Sequence, residues 1–207
     1  MRKPRTVRSL EELGRVRLSP SFFMRDFLHA EVASFYGIPN IPDDPDLAIA
    51  AGRMLCTELL EPLAARFGRV SIRSAYRSPE VNRIGNERGH NCARNESNYA
   101  GHIWDRRDPD GRMGATACII VNAFIPYYER TEHWEALAWW VHDHLPYSAM
   151  QFFPRFAAFN LTWREEPERT IYSYIPPRKG HLTKPGRASH DGDHSAEYRA
   201  FLAASGL

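Results

Sequence analysis

An α+β domain is predicted by three features of this sequence. Helical spacing of apolar residues dominates the first third, short segments of alternating, β-branched and aromatic residues follow, and the helix and strand patterns do not alternate as βαβ units would. With 207 residues and 43% apolar content, the chain is long enough to close one sizeable core. The expected architecture is a single domain whose N-terminal helices pack on a small, mainly antiparallel sheet.

Taken in order, residues 1–17 form a basic, solvated arm with one short helix at Ser9 to Leu13, where Ser9 and Glu12 make a capping-box pattern. Residues 18–207 make up the domain. Ser21 to Tyr36 places Phe22, Phe23, Phe27, Leu28, Val32 and Phe35 at mostly helical spacing, with Gly37 behind them at a C-cap position, and predicts an amphipathic helix. Three prolines make Ile38 to Pro45 a loop. Asp46 to Phe67 carries a long apolar stripe ending at Gly68, and Pro62 is expected to kink its last turn.

Val70 to Arg73 and Ala117 to Val121 are predicted strands that hold a long polar loop between them. Thr131 to His144 is a predicted helix capped by Thr131 and ended by Pro146. Met150 to Phe153, Ala158 to Trp163 and Thr170 to Ile175 are rich in aromatic and β-branched residues and predict three more strands. Proline and glycine then make a loop-rich tail at about 176–195, before a short helix near Ala196 to Ala203.

Composition narrows the function classes. A formal charge of +2, with both signs intermixed, gives no prior for nucleic acid or an anionic membrane as partner. Three cysteines (Cys56, Cys92 and Cys118) without framework spacing argue against a disulfide scaffold and fit a reducing compartment. The N-terminus lacks the apolar core of a signal peptide and no apolar run is long enough to span a bilayer, so a cytoplasmic protein is expected.

The densest chemistry lies between Val70 and Cys118. There Tyr76-Arg77-Ser78-Pro79 makes a turn, a glycine-rich loop delivers His102 and Asp105, and Gly114-Ala115-Thr116-Ala117-Cys118 enters a strand. These residues, with the lead-in from Leu18 to Pro42 and the later run Tyr147 to Glu165, resemble the zinc D-Ala-D-Ala carboxypeptidase family. That family shares its fold with the hedgehog signalling domain. The resemblance spans about Leu18 to Arg164 and implies a fold of the hedgehog and DD-peptidase type.

In that family a YRSP-type turn precedes a motif SxHxxGxAxD, whose His and Asp ligate zinc, and a later strand supplies a third ligand. His102 matches the family histidine. Ala100 stands where the motif has Ser, Cys118 falls at the aspartate position, and Asp105 to Met113 reads as an insertion. Asn160 falls where the third ligand belongs. Arg77 resembles the arginine that meets the substrate carboxylate; its other reading is a structural ion-pair partner.

The resemblance therefore implies a zinc metallopeptidase-like protein acting on peptidoglycan stem peptides, as a D-Ala-D-Ala carboxypeptidase or endopeptidase. The alternative is a non-catalytic module of the same fold with a degenerate metal site. Zinc would be held by His102 and Cys118, since thiolate also binds zinc, and Asn160 is a weak ligand. Asp105, Asp108 and His144 are the candidates for an additional ligand or an outer-shell partner. No general base is evident near Phe152 to Arg164. The cluster of His181, His190, Asp191, Asp193 and His194 in the tail is a reserve metal candidate.

Overall fold

The computed structural model describes residues 1–206. Helix α1 (Val7–Gly14) is capped by Thr6, whose hydroxyl accepts from Ser9 N while the Ser9 hydroxyl accepts from Thr6 N. The capping box thus sits three residues earlier than the predicted one. The arm before it is mostly exposed and is held to the domain at a few points: Lys3 pairs with Asp43 at 2.5 Å, the terminal amine pairs with Asp46, and Pro4 is buried.

The predicted helix over Ser21 to Tyr36 is broken. Leu18 N bonds Phe22 O at 3.0 Å and Met24 N bonds Val16 O at 2.9 Å, so the backbone of 22–24 is engaged with the preceding strand-like segment. Glu61 fixes the turn between them by accepting from Ser19 Oγ (2.7 Å), Ser21 N (2.6 Å) and Ser21 Oγ (2.9 Å). What remains is a 3-10 turn at Met24–Phe27 and a short helix α2 (Glu31–Tyr36), and Phe35 is left 81% exposed.

The long apolar stripe forms α3 (Pro45–Leu55) and α4 (Glu61–Phe67), joined by a π-helical turn at Cys56–Leu60. Asp44 caps α3 through Leu47 N at 3.1 Å. Pro62 lies in the first turn of α4, directly behind the wider turn that absorbs its missing donor, so the irregularity comes before the proline rather than at it. These helices bury Leu55, Leu59, Leu60 and Leu63 against one face of the sheet.

The sheet contains β1 (Val70–Ser74), β2 (Gly114–Val121), β3 (Ala149–Phe152), β4 (Phe159–Arg164), β5 (Thr170–Ser173) and β6 (Gly180–Thr183), in the order β1-β2-β4-β3-β5-β6. All neighbours are antiparallel except β3 and β5. β6 arises within the stretch expected to be loop. Between β1 and β2 lie α5 (Pro79–Glu87), capped by Ser78, and the single turn α6 (Asn95–Asn98). Beyond β2 come α7 (Ile125–Thr131) and α8 (Glu135–His144), and α9 (Ser195–Ala204) closes the chain. Thr131 caps no helix start: its hydroxyl donates to Tyr127 O and so finishes α7.

The main core runs through the domain, with Ala117, Leu161, Met150 and Ile171 paired across four strands on the helix-covered face, and a small second cluster of Ala30, Ala33 and Val81 joins α2 to α5. Side chains alternate between faces along a strand. The next row, Ser74, Cys118, Asn160, Gln151, Tyr172 and His181, therefore crosses the entire sheet on the opposite face. Among the described residues, no helix is long and apolar enough to cross a membrane.

Candidate ligand-binding cleft

That second row is the floor of the site. Ser74, Cys118, Asn160 and Gln151 line a cleft of about 820 Å³, roofed by the loop after α5 and flanked by α2 on one lip and by Phe153 and Tyr174 on the other. The cleft exists because the polar face of the sheet is only partly covered, and the covering loop is tied down at both ends.

Three backbone contacts fix the loop. Arg77 N donates to His102 O at 2.8 Å, Thr116 N donates to Gly101 O at 3.0 Å, and Ala100 N donates to Arg106 O at 2.8 Å. Gly114 permits this approach, since a Cβ there would stand 2.3 Å from Ala100 O and 2.9 Å from Trp163 O. His102 is 6% exposed and lines the cleft, with Nδ1 2.8 Å from the Ala75 carbonyl. That acceptor selects the Nδ1–H tautomer and leaves Nε2 as an acceptor beside Asn160. Burial first, then the positive charge of Arg77, holds the imidazole down to about 3, so it is neutral at physiological pH.

Cys118 and Asn160 are cross-strand partners, which puts the thiol and the amide side by side. Burial pushes the Cys118 thiol up, against the pull of Arg73 and Arg77, so it is a thiol rather than a thiolate. Asn160 donates to Gln151 Oε1 at 3.1 Å. Arg77 lies in the same cleft, where its Nη1 is 3.3 Å from Cys92 Sγ and 3.5 Å from Asn82 Oδ1. Neither Arg73 nor Arg77 is paired with a carboxylate among the described residues. Glu31, on the α2 lip, is the acidic side chain at the cleft.

Four of the residues expected from sequence thus converge: Arg77, His102, Cys118 and Asn160. The other three do not reach the cleft. Asp105 turns away, beneath the Tyr76 turn, where its Oδ2 accepts from Asp43 N at 2.6 Å and its Oδ1 is buried without a hydrogen-bond partner. Burial holds its carboxyl above the usual range. Its task is to anchor the loop to the start of α3. Asp108 is consumed locally, accepting from Asp110 N (3.0 Å) and Arg112 N (2.9 Å) to close the turn of the insertion. His144 stacks on Trp140 at the end of α8, with Nδ1 2.8 Å from Trp140 O.

The tail cluster divides as well. His181 sits on β6 against Tyr172, whereas His142, His190 and His194 gather around Asp143. His142 spans Tyr147 Oη (2.6 Å) and His190 O (2.8 Å), and His194 spans Asp143 Oδ1 (2.7 Å) and Ser189 O (3.1 Å). Both nitrogens of each ring are occupied. The cluster fastens the tail to α8.

For zinc the donor set falls short. The expected ligand positions, His102, Cys118 and Asn160, offer one imidazole, one protonated thiol and one neutral amide, whereas catalytic zinc keeps three good protein ligands; His90 and Cys92 also line the cleft. Among the described residues, no three His, Cys, Asp or Glu side chains stand together in a way that would hold a metal ion.

Sequence reasoning missed the residues that shape the cleft from behind. Asn82 is fully buried, donates to Ala93 O and Asn95 Oδ1 at 2.9 Å, and accepts from Asn98 at 3.1 Å, so it folds the roof. Asn40 clamps the Tyr76–Ser78 turn by donating to Leu28 O and Tyr76 O (2.9 Å each) and accepting from Ser78 N at 2.7 Å. Neither asparagine carries a pattern that marks it in sequence. Arg73 and Gln151 had a signal: strand alternation puts Gln151 in register with Asn160. Comparison of the chain with protein-family models, with curated proteins and with solved structures finds no match.

Proposed function

We propose that this chain is a non-catalytic binding module with a fold of the hedgehog and DD-peptidase type, whose cleft takes carboxylate-ended peptides of the peptidoglycan stem kind. The observation that carries this reading is the pair of guanidiniums, Arg73 and Arg77, which line the cleft with no carboxylate ion-pair partner for either among the described residues. A planar guanidinium fork matches a carboxylate in two hydrogen bonds. Around it the cleft presents neutral donors and acceptors, Asn98, Gln151 and Asn160 among them, suited to a peptide backbone.

Hydrolysis lacks its parts on this reading. His102 faces the cleft as a neutral acceptor, Cys118 as a thiol, and the acidic residue at hand, Glu31, lies on the lip rather than beside a metal position. A neutral imidazole and an amide instead serve as hydrogen-bonding groups for the bound peptide.

Titration calorimetry tests this with a stem tripeptide ending in D-Ala-D-Ala and with the same peptide as its C-terminal amide. The free acid is expected to bind and the amide to bind more weakly. Arg77→Ala should weaken the acid by about 1.5–3 kcal/mol, the worth of a hydrogen bond to a charged group, and leave the amide nearly unaffected. Equal affinity for acid and amide in the unmodified protein would remove the proposal, and steady release of D-Ala would replace it with a peptidase.

A further inference from the structure

We propose that the open face of the outer sheet, from the end of β3 to β6, is a binding surface for single-stranded nucleic acid, carried by different residues from the carboxylate cleft that it borders. Strand alternation puts Tyr172 and His181 in the row on the open face, and Phe153 and Tyr174 follow Gln151 and Tyr172 by two residues. Their rings meet one after another. Phe153 and Tyr174 have centroids 5.5 Å apart and planes within 3° of parallel, Tyr174 meets Tyr172 at 4.9 Å, and Tyr172 meets His181 at 5.2 Å. A line of aromatic rings thus runs from the lip of the cleft to the outer edge strand. Tyr174 is 45% exposed, and Phe156, at the tip of the β3–β4 hairpin, is 42% exposed.

The formal charge of +2 averages over a chain whose charges are segregated. From Thr170 to His190 the basic residues are Arg178, Lys179, Lys184 and Arg187, and the segment contains no Asp or Glu. Glu135 takes up Arg178 at 2.9 Å, whereas Lys179, Lys184 and Arg187 are exposed and have no carboxylate partner among the described residues. Arg187 folds back onto β6 by donating to His181 O at 2.6 Å, which sets a guanidinium at the outer end of the aromatic line. At the lip end, the Arg155 guanidinium lies 6.0 Å from the Phe156 ring centroid. The glutamates of the β4–β5 connection stand at the opposite end of these strands from Tyr174, and Arg107, Arg112 and Arg164 hold them.

Aromatic faces interleaved with free cations are complementary to a chain that carries a flat base and a phosphate at every step. Bases stack on the rings whatever their sequence, and the cations track the phosphates. An exposed sheet face bearing aromatic side chains is one physical solution to this task, because the strands hold the rings in a row and single-stranded bases can be splayed onto them. A duplex hides its base faces and offers the rings nothing. An anionic bilayer would meet the charges but needs apolar depth, and the large hydrophobic side chains exposed in this half of the sheet are the aromatic Phe156 and Tyr174, with no exposed Leu, Ile, Val or Met.

The experiment is fluorescence anisotropy with a labelled oligothymidine of about ten nucleotides, within the span that such surfaces cover. Its companions are an abasic oligomer of the same length, a duplex of that length, and vesicles of phosphatidylcholine and phosphatidylserine. The oligothymidine is expected to bind more tightly than the abasic oligomer and the duplex. Its affinity should fall about twentyfold between about 50 and about 200 mM salt, the response to neutralising about three phosphates of a single strand. Tyr174→Ala should weaken the oligothymidine about tenfold, and Tyr174→Phe, which keeps the stacking face, should restore it. Lys179→Glu combined with Arg187→Glu should weaken the oligothymidine and the abasic oligomer alike.

Ultraviolet crosslinking of the oligothymidine to the unmodified protein gives a readout independent of the variants, and the crosslinked peptides should carry Phe153, Tyr172 or Tyr174. Crosslinks confined to other peptides overturn the proposal. Equal affinity for the base-bearing and abasic oligomers overturns it too, in favour of charge attraction alone. Binding to vesicles without binding to the oligothymidine overturns it in favour of a membrane surface, and binding to none of the probes overturns it outright.

Discussion

Acidification should destabilise this protein through His102, by an amount that follows from its burial. In the unfolded chain the imidazole titrates near its ordinary value of 6.5, while in the folded cleft burial and Arg77 hold it down to about 3. The folded state thus binds fewer protons than the unfolded state at any pH between these values, and stability falls as pH drops through 6.5 toward 3. At pH 5.0 the folded ring is still neutral, and the unfolded state gains RT ln(1 + 10^1.5), about 2 kcal/mol, relative to neutral pH.

The assay is urea unfolding at pH 7.5 and pH 5.0 for the unmodified protein and for His102→Gln. Buried His142 is also held down, and Asp105 contributes with the opposite sign. The difference between the two proteins in their pH response cancels both. The unmodified protein is expected to lose about 2 kcal/mol more than His102→Gln between the two pH values. An identical loss in both proteins would refute the reasoning, because it would mean that the ring titrates in the folded cleft as it does in the unfolded chain.

Asn160→His supplies a second imidazole next to Cys118 and beside His102, reaching the three-ligand minimum for zinc. Atomic emission on purified protein should find near-stoichiometric zinc in that variant and little in the parent, and the reverse would mean that the parent cleft holds metal by itself. Asn40→Ala removes three hydrogen bonds that clamp the Arg77 turn, and a loss of about 3 kcal/mol is expected in denaturant midpoint analysis. An unchanged midpoint would show that the clamp is dispensable. Gly114→Ala drives a methyl into the Ala100 carbonyl; it should lower the melting temperature by several degrees and loosen the loop that carries His102, seen as faster amide exchange at Thr116.

The meeting of Arg77, His102, Cys118 and Asn160 was implied by the family resemblance. Sequence by itself determined the α+β class, the apolar stripe of α3 and α4, and five of the six strands. These depend on local periodicity and on a pattern of neighbouring residues. The structure puts Cys118 beside Asn160 because strands of period two, once in register, pair whole rows of side chains. Tertiary structure decided the rest. The Phe22 to Phe35 pattern has helical spacing, yet Glu61 and the Leu18–Phe22 backbone pairing outbid it.

Asp105 follows His102 by three residues and still points the other way, because the backbone amides of Asp43 and Asp44 offered it partners behind the loop. His144 was taken up by Trp140 within its own helix. Proximity in sequence could not separate these acids and imidazoles from those of the cleft, since each side chain goes where an otherwise unpaired group or an aromatic face awaits it, whether within its own helix, as for His144, or tens of residues away, as for Asp105.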